Sequence, residues 1–197
     1  MDVMSNVGAL IVIALLLALA LGGFLFYRWK GEKKRQADQA AKVAEKAARR
    51  QQKRQEQQKI RQTQVSAVKD ARANGDRRPV ILVVDDSLTA LEFTRRILEE
   101  NRYRVVTANH GRDAWAALQD LHPDLILTDI EMPHLDGFGL LKLVRADLAL
   151  ADVPVILMTA NPVEHIKKGQ QQGIDGFLPK PYEETDLIEQ IRYVLQE

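Results

Sequence analysis

From Pro79 onward, short apolar runs alternate with longer stretches in which apolar residues recur every three or four positions. The runs fall near 80–84, 104–108, 125–129, 154–159 and 176–179, and they are rich in Val, Ile and Leu, as buried strands are. The stretches between them predict helices near 88–101, 111–121, 137–147, 163–172 and 183–195. Leu88, Leu91, Phe93, Ile97 and Leu98 give the first of these a buried stripe, and Ala114, Ala117, Leu118 and Leu121 give the second one. Ser87 stands where the first helix needs a cap for its open N–H groups. Five strands, each followed by a helix, predict an α/β domain on a parallel sheet. Right-handed crossovers make that a doubly wound, three-layer fold.

The polar residues that end the runs carry the chemistry. Asp85 and Asp86 follow Val84, Asp129 follows Thr128, Thr159 follows Met158 and Lys180 follows Pro179. Parallel α/β sheets bind ligands just outside the carboxyl ends of their strands, so these groups converge on one crevice. Three carboxylates with a lysine and a hydroxyl suit a divalent cation and a phosphoryl group. Singly, each residue has a blander role: a solvated acidic cap, a Lys-Pro turn, a threonine chosen for strand propensity. Their agreement at four strand ends favours the functional reading.

The N-terminal part differs in kind. Val7–Tyr27 is almost wholly apolar, and Asp2 is the only charge before Arg28. About 20 such residues span a hydrocarbon core of roughly 30 Å, so 7–27 is expected to be a transmembrane helix behind a short extracytoplasmic tail, 1–6. Arg28, Lys30, Lys33, Lys34 and Arg35 would hold the following chain in the cytoplasm. Residues 28–78 carry 17 Lys/Arg against 6 Asp/Glu, whereas 79–197 carry 11 against 20. The basic stretch is rich in Ala, Gln, Lys, Arg and Glu, which predicts a long helical linker ending near Gly75 and Pro79. Ala37, Ala41, Ala44, Ala48, Gln51, Gln55, Gln58, Gln62 and Val65 follow a 4-3 spacing, but alanine and glutamine make a weak seam. A solvated single helix is therefore expected, with a weak homodimer as the alternative. Nucleic acid is not an expected partner, because no aromatic platform or DNA-reading motif accompanies the charge. The chain has no cysteine, which excludes disulfides and thiolate metal sites.

Four strings are more specific than the periodicity: VVDDS (Val83–Ser87), DIEMPHLDGFGLL (Asp129–Leu141), PVILMTA (Pro154–Ala160) and GFLPKPY (Gly176–Tyr182). In this order and spacing they resemble bacterial response-regulator receiver domains, over essentially all of 79–197, and most closely those associated with chemotaxis-type kinases. The resemblance implies a flavodoxin-like fold with strand order 2-1-3-4-5. It implies that Asp129 is the phosphoacceptor, taking a phosphoryl group from a histidine kinase or phosphotransfer protein. Mg²⁺ would be held by Asp85, Asp86, Asp129 and the backbone carbonyl of Glu131. Lys180 and Thr159 would meet phosphoryl oxygens, and Thr159 and Phe177 would form the switch. Glu131 and Asn161 would flank the path of attacking water. Pro181 matches a position where the family often has a cis peptide. A downstream partner would read the face made by the helix at 163–172, the strand at 176–179 and the helix at 183–195.

The expectation assembled from these parts is a membrane-tethered receiver without an output domain, in the inner membrane of a bacterium. It would be a phosphoacceptor signalling domain rather than an enzyme. The alternative is a phosphorylation-independent membrane scaffold that uses the receiver as a docking surface. An aspartyl-phosphate hydrolase would want a second aspartate two residues past the nucleophile, where Glu131 stands. The four histidines, His110, His122, His134 and His165, show no ligand spacing and read as surface residues.

Overall fold

The computed structural model describes residues 3–196, with the side chains of residues 19–196 other than Ala20 and Ala37. A 71-residue helix, α1 (Val3–Ala73), precedes an alternating series. The series is β1 (Val80–Val84), α2 (Leu88–Glu100), β2 (Arg104–Ala108), α3 (Gly111–Leu118), β3 (Leu125–Asp129), α4 (Gly137–Ala146), β4 (Val155–Thr159), α5 (Pro162–Gln171), β5 (Gly176–Pro179) and α6 (Glu184–Leu195). The chain falls into two units, one up to Gln55 and one from Glu56 on.

All five strands pair in parallel, in the order β2-β1-β3-β4-β5, as the resemblance implied. Side chains alternate across each strand, and both faces are covered. Val80, Leu82 and Val84 share a core with α3 and α4, including Ala114, Leu118, Phe138 and Leu141. Ile81 and Val83 face the opposite core, with Leu91, Ile97 and Leu98 of α2 and Leu187, Ile188 and Ile191 of α6. Each fully buried aliphatic side chain contributes about 1.5–3 kcal/mol through removal from water. These two cores give the predicted three layers.

The end of α1 departs from the expectation of a solvated helix. Val65 and Val68 are buried in the core that contains α3. Gln64 accepts from the Thr107 N–H at 3.1 Å and donates to Thr107 Oγ1 at 3.1 Å. Thr107 lies on β2, the edge strand, so this side chain satisfies a backbone donor that has no neighbouring strand to meet. Arg61 pairs with Asp113 at 3.1 Å, and Arg72 with Asp124 at 2.7 Å. Asp124 also accepts the Val80 N–H at 2.7 Å, so α1 ends against the start of β1. Val65, the last position of the expected homodimer seam, is thus spent within its own chain. Sequence spacing could not show this, because the partner of an apolar helix face is chosen in three dimensions.

The expected membrane localisation is corrected. Among the described residues, no helix is long and apolar enough to cross a membrane. Arg28, just past the expected span, pairs with Glu32 at 3.6 Å. Of the expected 7–27 span and the 1–6 tail, side chains are described only at Leu19 and at 21–27.

Candidate functional site

The strand register builds the site. Val84 pairs with Thr128, Asp129 with Met158, and Thr159 with Pro179, so four strands end nearly level. The chain leaves β1 towards β2 on one side while β3 lies on the other, which places the Asp85–Asp129 crevice at a topological switch point. Asp85, Asp86 and Asp129 come together there, each offering an oxygen within 4.8 Å of the others. Asp85 and Asp129 are buried, whereas Asp86 is exposed.

Lys180 reaches back into this cluster. Its Nζ donates to Asp85 Oδ2 at 2.7 Å and to Asp129 Oδ1 at 2.9 Å. Its backbone N–H donates to the Thr159 carbonyl at 2.8 Å, and the following Lys180–Pro181 bond is cis. Just beyond, the Tyr182 hydroxyl lies 2.8 Å from Thr94 Oγ1 and ties this loop to α2. Burial pushes the Tyr182 hydroxyl pKa upward.

The electrostatics of the cluster are unequal. Burial raises the Asp129 pKa above the ordinary carboxylate range. Lys180 pulls it down and the Asp85 and Asp86 charges push it up, leaving a net rise. Burial works against the Lys180 charge, but its hydrogen bonds to Asp129 and Asp85 outweigh that, so the ammonium is held above its ordinary value. The pair remains attractive, and the rise at Asp129 reflects desolvation exceeding what one ammonium returns.

Several backbone features hold the aspartates. Asp85 Oδ1 accepts the Ser87 N–H at 2.9 Å, and Ser87 caps α2 by accepting from Ala90 N at 3.3 Å, as its position predicted. Gly137, at the start of α4, lies so close that a Cβ there would stand 2.4 Å from the Asp129 carbonyl oxygen and 2.9 Å from Ile130 Cα. Only glycine lets α4 begin against the end of β3.

The remaining candidates divide. Thr159 is fully buried at the end of β4, and its hydroxyl is engaged by the Asn161 N–H at 2.9 Å and by His165 Nδ1 at 2.7 Å. Glu131 is exposed in the loop after β3, where its side chain accepts from Asn161 Nδ2 at 3.0 Å. Phe177 is half-buried against the α5 side of the sheet. His165 corrects the reading of all histidines as surface residues, since it is half-buried and bonded to Thr159. His110 also has a local role, accepting the Asp113 N–H at 3.4 Å to cap α3. The sequence signal for His165 was its place in the first turn of the helix after Thr159, and nothing in its spacing to the other histidines revealed it.

An all-oxygen set of three carboxylates, one open to solvent, suits a hard divalent cation. Beside it, a lysine between two buried carboxylates can balance an incoming anion.

Comparison with known proteins agrees. The family model for the response regulator receiver domain matches residues 81–192. Protein PilH of Pseudomonas aeruginosa is 36% identical over 116 residues, covering 58% of this chain and 96% of that protein. The two-component response regulator ORR3 of Oryza sativa is 36% identical over 111 residues, covering 55% and 85%. Among solved structures, the Vibrio cholerae chemotaxis protein CheY4 superposes with a TM-score of 0.57 at 30% identity, covering 59% of this chain and 98% of that one. The receiver domain of the Pseudomonas aeruginosa sensor histidine kinase PA1611, solved with a magnesium ion in its active-site cleft, superposes with a TM-score of 0.57 at 26% identity, covering 61% and 99%. With four aligned strand ends, an acidic triad bridged by a lysine, and a family match over more than half its length, this chain belongs to the response regulator receiver family of two-component systems.

Proposed function

We propose that Asp129 accepts a phosphoryl group from a phosphohistidine on a histidine kinase or phosphotransfer protein, and that the acylphosphate changes what the domain binds. The observation that carries this reading is Lys180 Nζ lying between buried Asp85 and Asp129, 2.7 and 2.9 Å away. A carboxylate attacking an anionic donor needs its charge balanced, and phosphoryl transfer is mostly positioning and electrostatics. An Asp129 carboxylate oxygen would attack phosphorus. The new O–P bond forms as the donor N–P bond breaks, with the bonding electrons returning to the imidazole ring.

Asp85, Asp86 and Asp129, with the Glu131 backbone carbonyl, would hold Mg²⁺, and their oxygen donors fit such an ion. When bound, Mg²⁺ would neutralise charge between the acceptor and the phosphoryl oxygens. Lys180 would move from the carboxylate pair onto a phosphoryl oxygen as a flexible point charge. Thr159 would donate its hydroxyl to another, and Phe177 would repack with it. The completeness of this set favours phosphorylation over a purely docking role, which would need none of it.

The test is intact-mass spectrometry of the full chain with Mg²⁺ and acetyl phosphate. Wild type should gain one phosphoryl group, and Asp129→Ala or omission of Mg²⁺ should abolish the gain. An equal adduct on Asp129→Ala would sink the assignment. The full chain is used because Val65 and Val68 of α1 belong to the core.

A further inference from the structure

The Thr159 hydroxyl is already committed on its helix side. A threonine hydroxyl has one proton and two lone pairs. The Asn161 N–H takes one lone pair, and His165 Nδ1 at 2.7 Å takes either the proton or the other lone pair, according to its tautomer. In the tautomer where Nδ1 accepts, the hydroxyl has no proton to give a phosphoryl oxygen. His165 is itself fixed, because its ring stands edge-on to buried Phe138 of α4 with centroids 5.6 Å apart, and Lys168 lies over the same Phe138 ring at 3.9 Å. One turn along α5, on the same face as His165, Gly169 packs so closely that a Cβ there would lie 2.9 Å from the Phe177 ring. A single helix face therefore touches both Thr159 and Phe177.

We propose that His165 is a positioning residue, a latch whose Nδ1 accepts the Thr159 hydroxyl proton, holding that hydroxyl to α5 in the resting domain, and must release it when Asp129 is phosphorylated. Release frees the hydroxyl to serve the phosphoryl group and frees α5 to shift, which the close Gly169 contact passes to Phe177. This rests on the reading of Asp129 and Thr159 given above. The latch opposes activation, so removing it should make the activated form easier to reach by about two- to tenfold, the weight of one hydrogen bond expressed as a population ratio.

Beryllium trifluoride, a phosphoryl mimic, titrated calorimetrically into the full chain with Mg²⁺ reads that equilibrium directly. His165→Phe should bind about two- to tenfold tighter than wild type. His165→Asn, which keeps a polar atom at the Nδ1 position, should fall back towards wild type. In a Thr159→Val background His165→Phe should have no further effect, a result that a merely structural role would not give. His165→Ala replaces the Phe variant should the latter fail to fold. No binding by wild type overturns the Asp129 reading and the latch with it. Wild-type binding with an unchanged His165 variant, or an equal gain in the Thr159→Val background, overturns the latch alone.

Discussion

The side chain of Asn161 donates to Glu131 Oε1 at 3.0 Å, joining the loop after β3 to the loop after β4 across the mouth of the site. Both residues were expected to flank the path of attacking water, and the bond makes them one bridge. On the proposed reading of Asp129, such a bridge would narrow the approach of water to its acylphosphate. Asn161→Ala should therefore shorten the phosphate lifetime by about two- to tenfold, the weight of one lost hydrogen bond. The check is the decay of the phosphorylated full chain after the donor is removed. A lifetime unchanged or longer would mean that the bridge does not screen the phosphate.

Asp129 gives a pH dependence with a definite sign. Its folded pKa is raised, chiefly by burial, above that of the unfolded chain. Its stabilising contribution is then fully present below the unfolded carboxylate pKa and is lost as pH rises through the folded value. Asp129→Asn is permanently neutral and still accepts from Lys180, so it should match wild type at about pH 4 and exceed it at about pH 8. Urea melts at the two pH values test this, and equal stability at both would contradict it. The raised Lys180 pKa acts at the alkaline end: its contribution is held below the unfolded lysine pKa and lost as pH rises through the folded value.

Divalent cation should stabilise the fold through the same carboxylates. At a hundredfold excess over its dissociation constant, Mg²⁺ should add about 2.7 kcal/mol, seen as a higher Tm. Asp86 is exposed and Asp85 buried, so Asp86→Asn should remove most of this gain without lowering the stability of the metal-free protein. A full Mg²⁺ shift in Asp86→Asn would remove that residue from the ligand set.

Val68 sits 4% exposed on α1 within the core beside α3. Val68→Ala should cost about 1.5–3 kcal/mol, from two lost methyl groups and the cavity they leave. Chemical denaturation of the full chain measures this. A change below about 0.5 kcal/mol, as surface positions give, would show that the end of α1 does not pack there in solution.

The strands, the helices and the groups ending each strand were legible in the sequence because they depend on local periodicity and on a rule of parallel sheets. Once Val84, Asp129, Thr159 and Pro179 end four neighbouring strands, the groups at and just beyond those ends must meet. Ser87 was legible as a cap for the same reason, since a cap depends only on the next three residues. What only the tertiary structure decided concerns contacts between segments that share no period. The seating of Val65 and Val68 in the α3 core depends on a helix finding the open β2 edge, and an apolar helix stripe looks the same whether its partner is a second copy, a lipid or its own domain. The bond from His165 to Thr159 likewise arises from how α5 packs on β4, which fixes a side-chain direction that spacing alone leaves free.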